Sequence, residues 1–270
     1  MTNSRPDSTA RRRPAGAFGA GALIGTLGGL IGLGGAEFRL PVLISWFRFV
    51  ALEAVILNKA TSIVVVASAL LFRTKTVSLG TVLAHSAAIA NLLAGSLAGA
   101  WFAAGWARRM RSTLLYRVMA GLLVLIAAVL LFGHDPSVMD APALQGISLI
   151  VAGVIAGFGI GMVASLLGVA GGELLIPALV LLYGIDIKTA GSVSLVVSLP
   201  TILVGFARYS RDASFAVLGR HKSFVIVMAA GSIVGTFVGG RLLGIVPSGV
   251  LLPLLSTILL VSAWKVWKHQ

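Results

Sequence analysis

The chain has 270 residues, 58% of them hydrophobic and only 11% charged. An ordinary soluble domain, with about a quarter of its residues charged, is therefore excluded. A formal net charge of +13 would suggest a nucleic-acid partner in a soluble protein, but here Lys and Arg stand at the ends of apolar runs, where membrane orientation puts them, so no nucleic acid is expected.

Apolar runs lie near 16–34, 54–72, 80–103, 112–132, 144–169, 190–207, 223–243 and 249–266, each long enough to cross about 30 Å of hydrocarbon. They are too long, and too often interrupted by Gly and Pro, for the alternating strands of a membrane barrel. The expectation is an all-α polytopic membrane protein of about eight transmembrane helices.

Residues 1–15, MTNSRPDSTARRRPA, read as a disordered basic cytoplasmic tail. The first run follows, and Gly21, Gly25 and Gly28 suit it to close helix packing. Gly32, Gly34 and Gly35 then make the backbone permissive. Only a short apolar stretch separates Glu37 from Val50, and Pro41 is able to start a new helical turn but not to sit inside an old one. A broken or re-entrant segment is expected there.

The same stretch returns. IGLGGAEFRLP at 31–41 recurs as LGVAGGELLIP at 167–177, and the offset of 136 pairs Gly32 with Gly168, Gly35 with Gly171 and Glu37 with Glu173 without a gap. It goes on to pair Ser62 with Ser198, His85 with His221 and Gly95-Ser96-x-x-Gly99 with Gly231-Ser232-x-x-Gly235. Two membrane repeats follow, 16–132 and 144–267, joined by a turn-rich linker at 133–143.

If residues 16–51 enter the membrane and come back to the same side, Arg48 and the Arg108, Arg109, Arg111 cluster become cytoplasmic and only Arg73 and Lys75 are misplaced. A single crossing inverts that bias. Each repeat then makes an odd number of crossings, which predicts inverted repeats with both termini cytoplasmic, in a multi-pass protein of the cell inner membrane.

Glycine breaks at matching places in two halves point to a transporter's binding site, because unwound N–H groups and half-helix N-termini attract anions. The candidates are Gly32, Gly34 and Gly35 in the first copy and Gly168, Gly171 and Gly172 in the second, with tight packing as the plain alternative. Glu37 and Glu173 are ionisable groups inside apolar runs; they could carry protons or could cap the helices that follow. Arg39 and Lys59 are basic where the repeat has Leu175 and Leu195, which suits an anion, although Arg39 could simply neutralise a glutamate and Lys59 could snorkel. Asn58, Thr61 and Ser62, and in the copy Ser192, Ser194 and Ser198, offer hydrogen bonds or merely bridge helices.

His85 and His221 stand without Cys or carboxylate at ligand spacing, so no metal is expected. Zero cysteines exclude thiolate sites, and phosphate loops and nucleophile elbows are absent, so neither a cofactor nor an enzyme is expected. The partners foreseen are a small anionic substrate and the lipid bilayer.

On the two motifs, Gly32-Leu33-Gly34-Gly35-Ala36 ahead of Pro41 and Gly168-Val169-Ala170-Gly171-Gly172 ahead of Pro177, the chain resembles the TauE/SafE family of sulfite exporter-like membrane permeases. Ala36 and Ala170 depart from that family's pattern, each at a different glycine. The resemblance, spanning 16–266, implies secondary transport of sulfite or a related sulfur oxyanion or organosulfonate. A passive anion channel, or a carrier of an unrelated small organic anion, is the alternative; a counterflow assay separates channel from carrier.

Overall fold

A computed structural model describes residues 14–31, 35–73, 79–132, 144–242 and 248–268. The expected linker, the tail ahead of Pro14, and Gly32 and Gly34 lie outside the described residues, as does the side chain of Glu173.

Among the described residues the regular structure is entirely helical. The first half contains α1 (Pro14–Ile31), α2 (Ala36–Ser45), α3 (Ala51–Arg73), α4 (Leu79–Leu83), α5 (Ser86–Ala107) and α6 (Ser112–Phe132). The second contains α7 (Gly146–Leu167), α8 (Gly172–Tyr183), α9 (Ile187–Tyr209), α10 (Ala216–Arg220), α11 (Lys222–Leu242) and α12 (Ser248–Trp267). Helices α3 and α9 are both 23 residues long and start 136 residues apart, at 51 and 187. The other five pairs keep that offset to within a few residues at their ends.

Local chemistry explains several boundaries. Pro14 opens α1, in the first turn where its missing N–H costs nothing. Asp186 caps α9 by accepting from the Thr189 N–H at 2.9 Å. Gly35 and Gly171, the residues before α2 and α8, share a left-handed backbone with φ 71° and 81°. That conformation is costly for any side chain but cheap for glycine, and it separates each short helix from the long one before it.

One expectation is corrected. Pro41 does not begin a helical turn: it sits inside α2, and Pro177 sits at the matching place inside α8. Each is the sixth residue of its helix, so its missing N–H forfeits a single bond, to the carbonyl four residues back at Glu37 or Glu173. A short helix absorbs one lost bond.

Among the described residues, five stretches are long and apolar enough to cross a membrane: Ala51–Leu71, Ser86–Ala107, Gly146–Leu167, Thr189–Tyr209 and Lys222–Gly239. They belong to α3, α5, α7, α9 and α11. At 10 and 12 residues, α2 and α8 reach only about 15–18 Å.

The two halves interpenetrate. Helix α1 packs along α11, and α7, its counterpart, packs along α5, so the first long helix of each half lies against the other half. Glycines make both seams. A Cβ on Gly21 or Gly25 would run into the Met228 or Ser232 carbonyl, and one on Gly231 or Gly235 into that of Phe18 or Ala22. In the α5–α7 seam Gly95, Gly99, Gly157 and Gly161 meet the carbonyls of Val154, Phe158, Leu92 and Ser96 in the same way. The backbones touch, as small residues allow between membrane helices.

At the centre α3 crosses α9 antiparallel. Lys59, early in α3, lies against Gly205 and Tyr209 late in α9, while Leu195, early in α9, clusters with Val66, Ala69 and Leu70 late in α3.

Cations collect at one end of this stack. Glu53 near the start of α3 pairs with Arg220 at the end of α10 (2.7 Å), and the Ala51 N–H donates to the Tyr116 hydroxyl near the start of α6 (3.1 Å). Arg117 of α6 lies 5.8 Å from the Trp267 ring at the end of α12, and Arg208 at the end of α9 covers Trp101 near the end of α5 at 4.4 Å. Arg73 ends α3, and Arg241 stands in the last turn of α11, at the opposite side.

Candidate functional site

Arg39 belongs to α2, a helix whose residues are mostly buried, and is itself wholly enclosed. Its Nη1 donates to Asn58 Oδ1 (3.2 Å) and Ser62 Oγ (3.1 Å) on α3, and its Nη2 donates to Ser232 Oγ (3.2 Å) on α11. None of these three acceptors carries a charge. One guanidinium therefore ties together the short helix, the central helix and a helix of the other half.

Asn58 and Ser62 are four residues apart and share one face of α3. The Asn58 amide donates to the Ala36 carbonyl and to the Leu167 carbonyl, each at 3.0 Å, while Ser62 Oγ donates to the Gly168 carbonyl at 3.4 Å. Both glycine-motif segments thus end on the same two side chains. Gly168, with φ 68°, lies so close to α3 that a Cβ there would meet the Val55 carbonyl and come within 3.3 Å of the Lys59 N.

Glu37 is fully buried in the first turn of α2, two residues before Arg39. A carboxylate there faces the positive end of the helix dipole, which fits both readings of the residue.

Lys59 is not part of the Arg39 cluster. Successive residues of a helix point about 100° apart, so Lys59 leaves α3 in a different direction from Asn58. Its Nζ is buried and has no hydrogen-bond partner among the described residues, and it lies 5.8 Å from the Tyr209 ring. A Cβ on Gly205 would stand 2.8 Å from that Nζ and 3.0 Å from Ser165 Oγ. The expected second charge is thus a separate locus among α3, α7 and α9.

The copy's polar residues are buried too, but they are occupied differently. Ser194 Oγ donates to the Gly191 carbonyl of its own helix (3.0 Å), whereas Ser192 and Ser198 have no partner for Oγ among the described residues. Thr61 donates to Leu57 at 2.9 Å in the same self-satisfying way as Ser194. Gly171 packs on Ala164 and Ile160, and Gly172 opens α8.

Two participants were not expected as site residues. Ser232 reaches Arg39, and Ser165 adjoins Lys59 while its carbonyl accepts from the Tyr209 hydroxyl (3.0 Å). The repeated Gly-Ser-x-x-Gly signal contained Ser232: its counterpart Ser96 also makes an interhelical bond, with Thr201 at 2.7 Å. No comparable pattern marks Ser165.

Neither the curated proteins nor the solved structures include a match to this chain. Residues 2–130, just under half of the chain, match the family model described as sulfite exporter TauE/SafE, the family that the paired glycine motifs resemble, which implies a membrane transporter of sulfur-related anions.

Proposed function

We propose that the protein is a secondary transporter of a small anion across the inner membrane, and that its substrate is sulfite or a related sulfur oxyanion or organosulfonate. The observation that carries the proposal is Arg39, a buried guanidinium that donates to Asn58, Ser62 and Ser232 where both glycine-motif segments meet. An oxyanion leaving water needs positive charge and several donors. Arg39 supplies the first, and Ser232 and the backbone amides around Gly35, Gly168, Gly171 and Gly172 supply the second, while Asn58 and Ser62, whose own hydrogens go to the Ala36, Leu167 and Gly168 carbonyls, hold the guanidinium in place. Gly32 and Gly34 would complete the first copy, with Ser194 and Ser198 on the opposing face of the second.

In this reading eight long helices lie in the membrane, in repeats 16–132 and 144–267, and each short helix, α2 or α8, brings the chain back to the side from which α1 or α7 entered, so that each half makes an odd number of net crossings. The antiparallel crossing of α3 and its counterpart α9 supports inverted repeats. The gathering of cations at one end supports a cytoplasmic position for that end and for both termini. Glu37 and Glu173 carry the coupling protons, and Lys59 provides a second positive charge along the path.

The test is flux of radiolabelled sulfite or a small sulfonate into proteoliposomes. Arg39→Leu, which copies Leu175 of the other half, is expected to lower uptake at least tenfold. Lys59→Leu, which copies Leu195, is expected to lower it less. Uptake unchanged in both variants would remove the charge assignment.

A further inference from the structure

At the cation-rich end, α5 and α9 meet in a niche that the transport reading does not use. Trp101, Phe102 and Trp106 of α5 are 42%, 57% and 44% exposed. Over Trp101 lie two guanidiniums, that of Arg208 with its Cζ 4.4 Å from the ring centroid and that of Arg211 at 5.6 Å. Gly105 lets Arg208 lie flat on α5, since a Cβ there would come within 3.4 Å of its Nε and Nη2. Arg108, Arg109 and Arg211 are all near enough to repel Arg208 electrostatically.

Four like charges crowded together are costly unless an anion joins them. Among the described residues no carboxylate pairs with any of the four, and Asp212, next to Arg211, accepts the Ser214 N–H through Oδ1 at 2.9 Å. The Nε atoms of Arg108 and Arg208 are buried without a hydrogen-bond partner. The fold itself does not demand this cluster: at the repeat-related positions stand Gly244, Ile245, Phe72 and Lys75 in place of Arg108, Arg109, Arg208 and Arg211.

We infer that this niche binds the headgroup of an anionic phospholipid. Guanidinium forks match phosphate oxygens bidentately, exposed tryptophans sit at headgroup depth, and basic niches between helices on the cytoplasmic side take such headgroups. The aromatic wall that continues from the arginines favours a lipid, whose chains would lie on it, over free phosphate. A bias that merely orients the chain treats Lys and Arg alike, whereas a phosphate fork does not.

That difference provides the experiment. The purified protein is mixed with phosphatidylglycerol, cardiolipin or phosphatidylethanolamine in detergent, and bound lipid is counted by native mass spectrometry. Wild type is expected to retain the two anionic lipids at least tenfold over the zwitterionic one. The triple variant Arg108→Lys, Arg208→Lys, Arg211→Lys, which keeps the charge, is expected to fall to the zwitterionic level. Trp101→Leu, which removes the surface holding Arg208 and Arg211, is expected to lose several-fold and decides the matter if the triple variant aggregates. Equal retention of all three lipids overturns the inference, as does undiminished retention by a folded variant. Complete displacement of the lipid by inorganic phosphate at millimolar concentration also overturns it, since the niche would then be a free-phosphate site.

Discussion

Arg39 hydrogen-bonds through both terminal nitrogens to side chains of two other helices, and that is a demand only a fork meets. Arg39→Lys keeps the charge and loses the geometry, so it is expected to destabilise the protein by about 1–3 kcal/mol in detergent unfolding, the cost of stranding buried acceptors. Gly168 offers a second residue-scale test because Gly146 serves as its control. Both have left-handed backbones, with φ 68° and 60°, but a Cβ at Gly146 would meet nothing within 4 Å. Gly146→Ala should therefore cost only the backbone strain, about 1–2 kcal/mol. Gly168→Ala adds a collision with the Val55 carbonyl, and its melting temperature should fall clearly further.

Among helices, the same comparison works within a few residues of chain. Gly161 is pressed on the Ser96 carbonyl in the α5–α7 seam, while Gly159 has nothing within 4 Å of its would-be Cβ. Gly159→Ala is expected to be neutral or to stabilise by up to about 1 kcal/mol through helix propensity. Gly161→Ala is expected to cost about 1–3 kcal/mol as overpacking. Thermal unfolding of the two variants, read side by side, checks both signs. Such seams were legible in the sequence, since Gly21, Gly25, Gly95 and Gly99 recur without a gap at Gly157, Gly161, Gly231 and Gly235. What the pattern did not disclose is the partner of each seam, because Ser232 lies 193 residues from Arg39 and nothing local encodes that meeting. Lys59 pairs with Arg39 in the sequence because both are basic where the other repeat has leucine, yet one residue of helical rotation past Asn58 aims it at Gly205. Pro41 was expected at a helix start because its missing N–H is free of cost there, and α2 tolerates it one turn later.

For the molecule as a whole, the absence of cysteine provides a clean background for mapping sides. Exposed Arg111 and Lys268 adjoin the cation-rich end, whereas Ile147, 79% exposed, begins α7, which runs parallel to α5 and so starts at the other end. A membrane-impermeant thiol reagent added to whole cells should label Ile147→Cys and leave Arg111→Cys and Lys268→Cys untouched until the cells are broken. The reverse pattern would turn the molecule over and put its arginines outside.

The reciprocal embrace of α1 by α11 and of α5 by α7 bears on how the protein is made. When a ribosome has delivered only the first hundred-odd residues, two glycine-lined grooves are already in the bilayer with nothing to fill them. Neither half can reach its final packing before the other has been synthesised. Cutting the gene within 133–143 should therefore give two fragments that are degraded when expressed singly but purify together when expressed in the same cell.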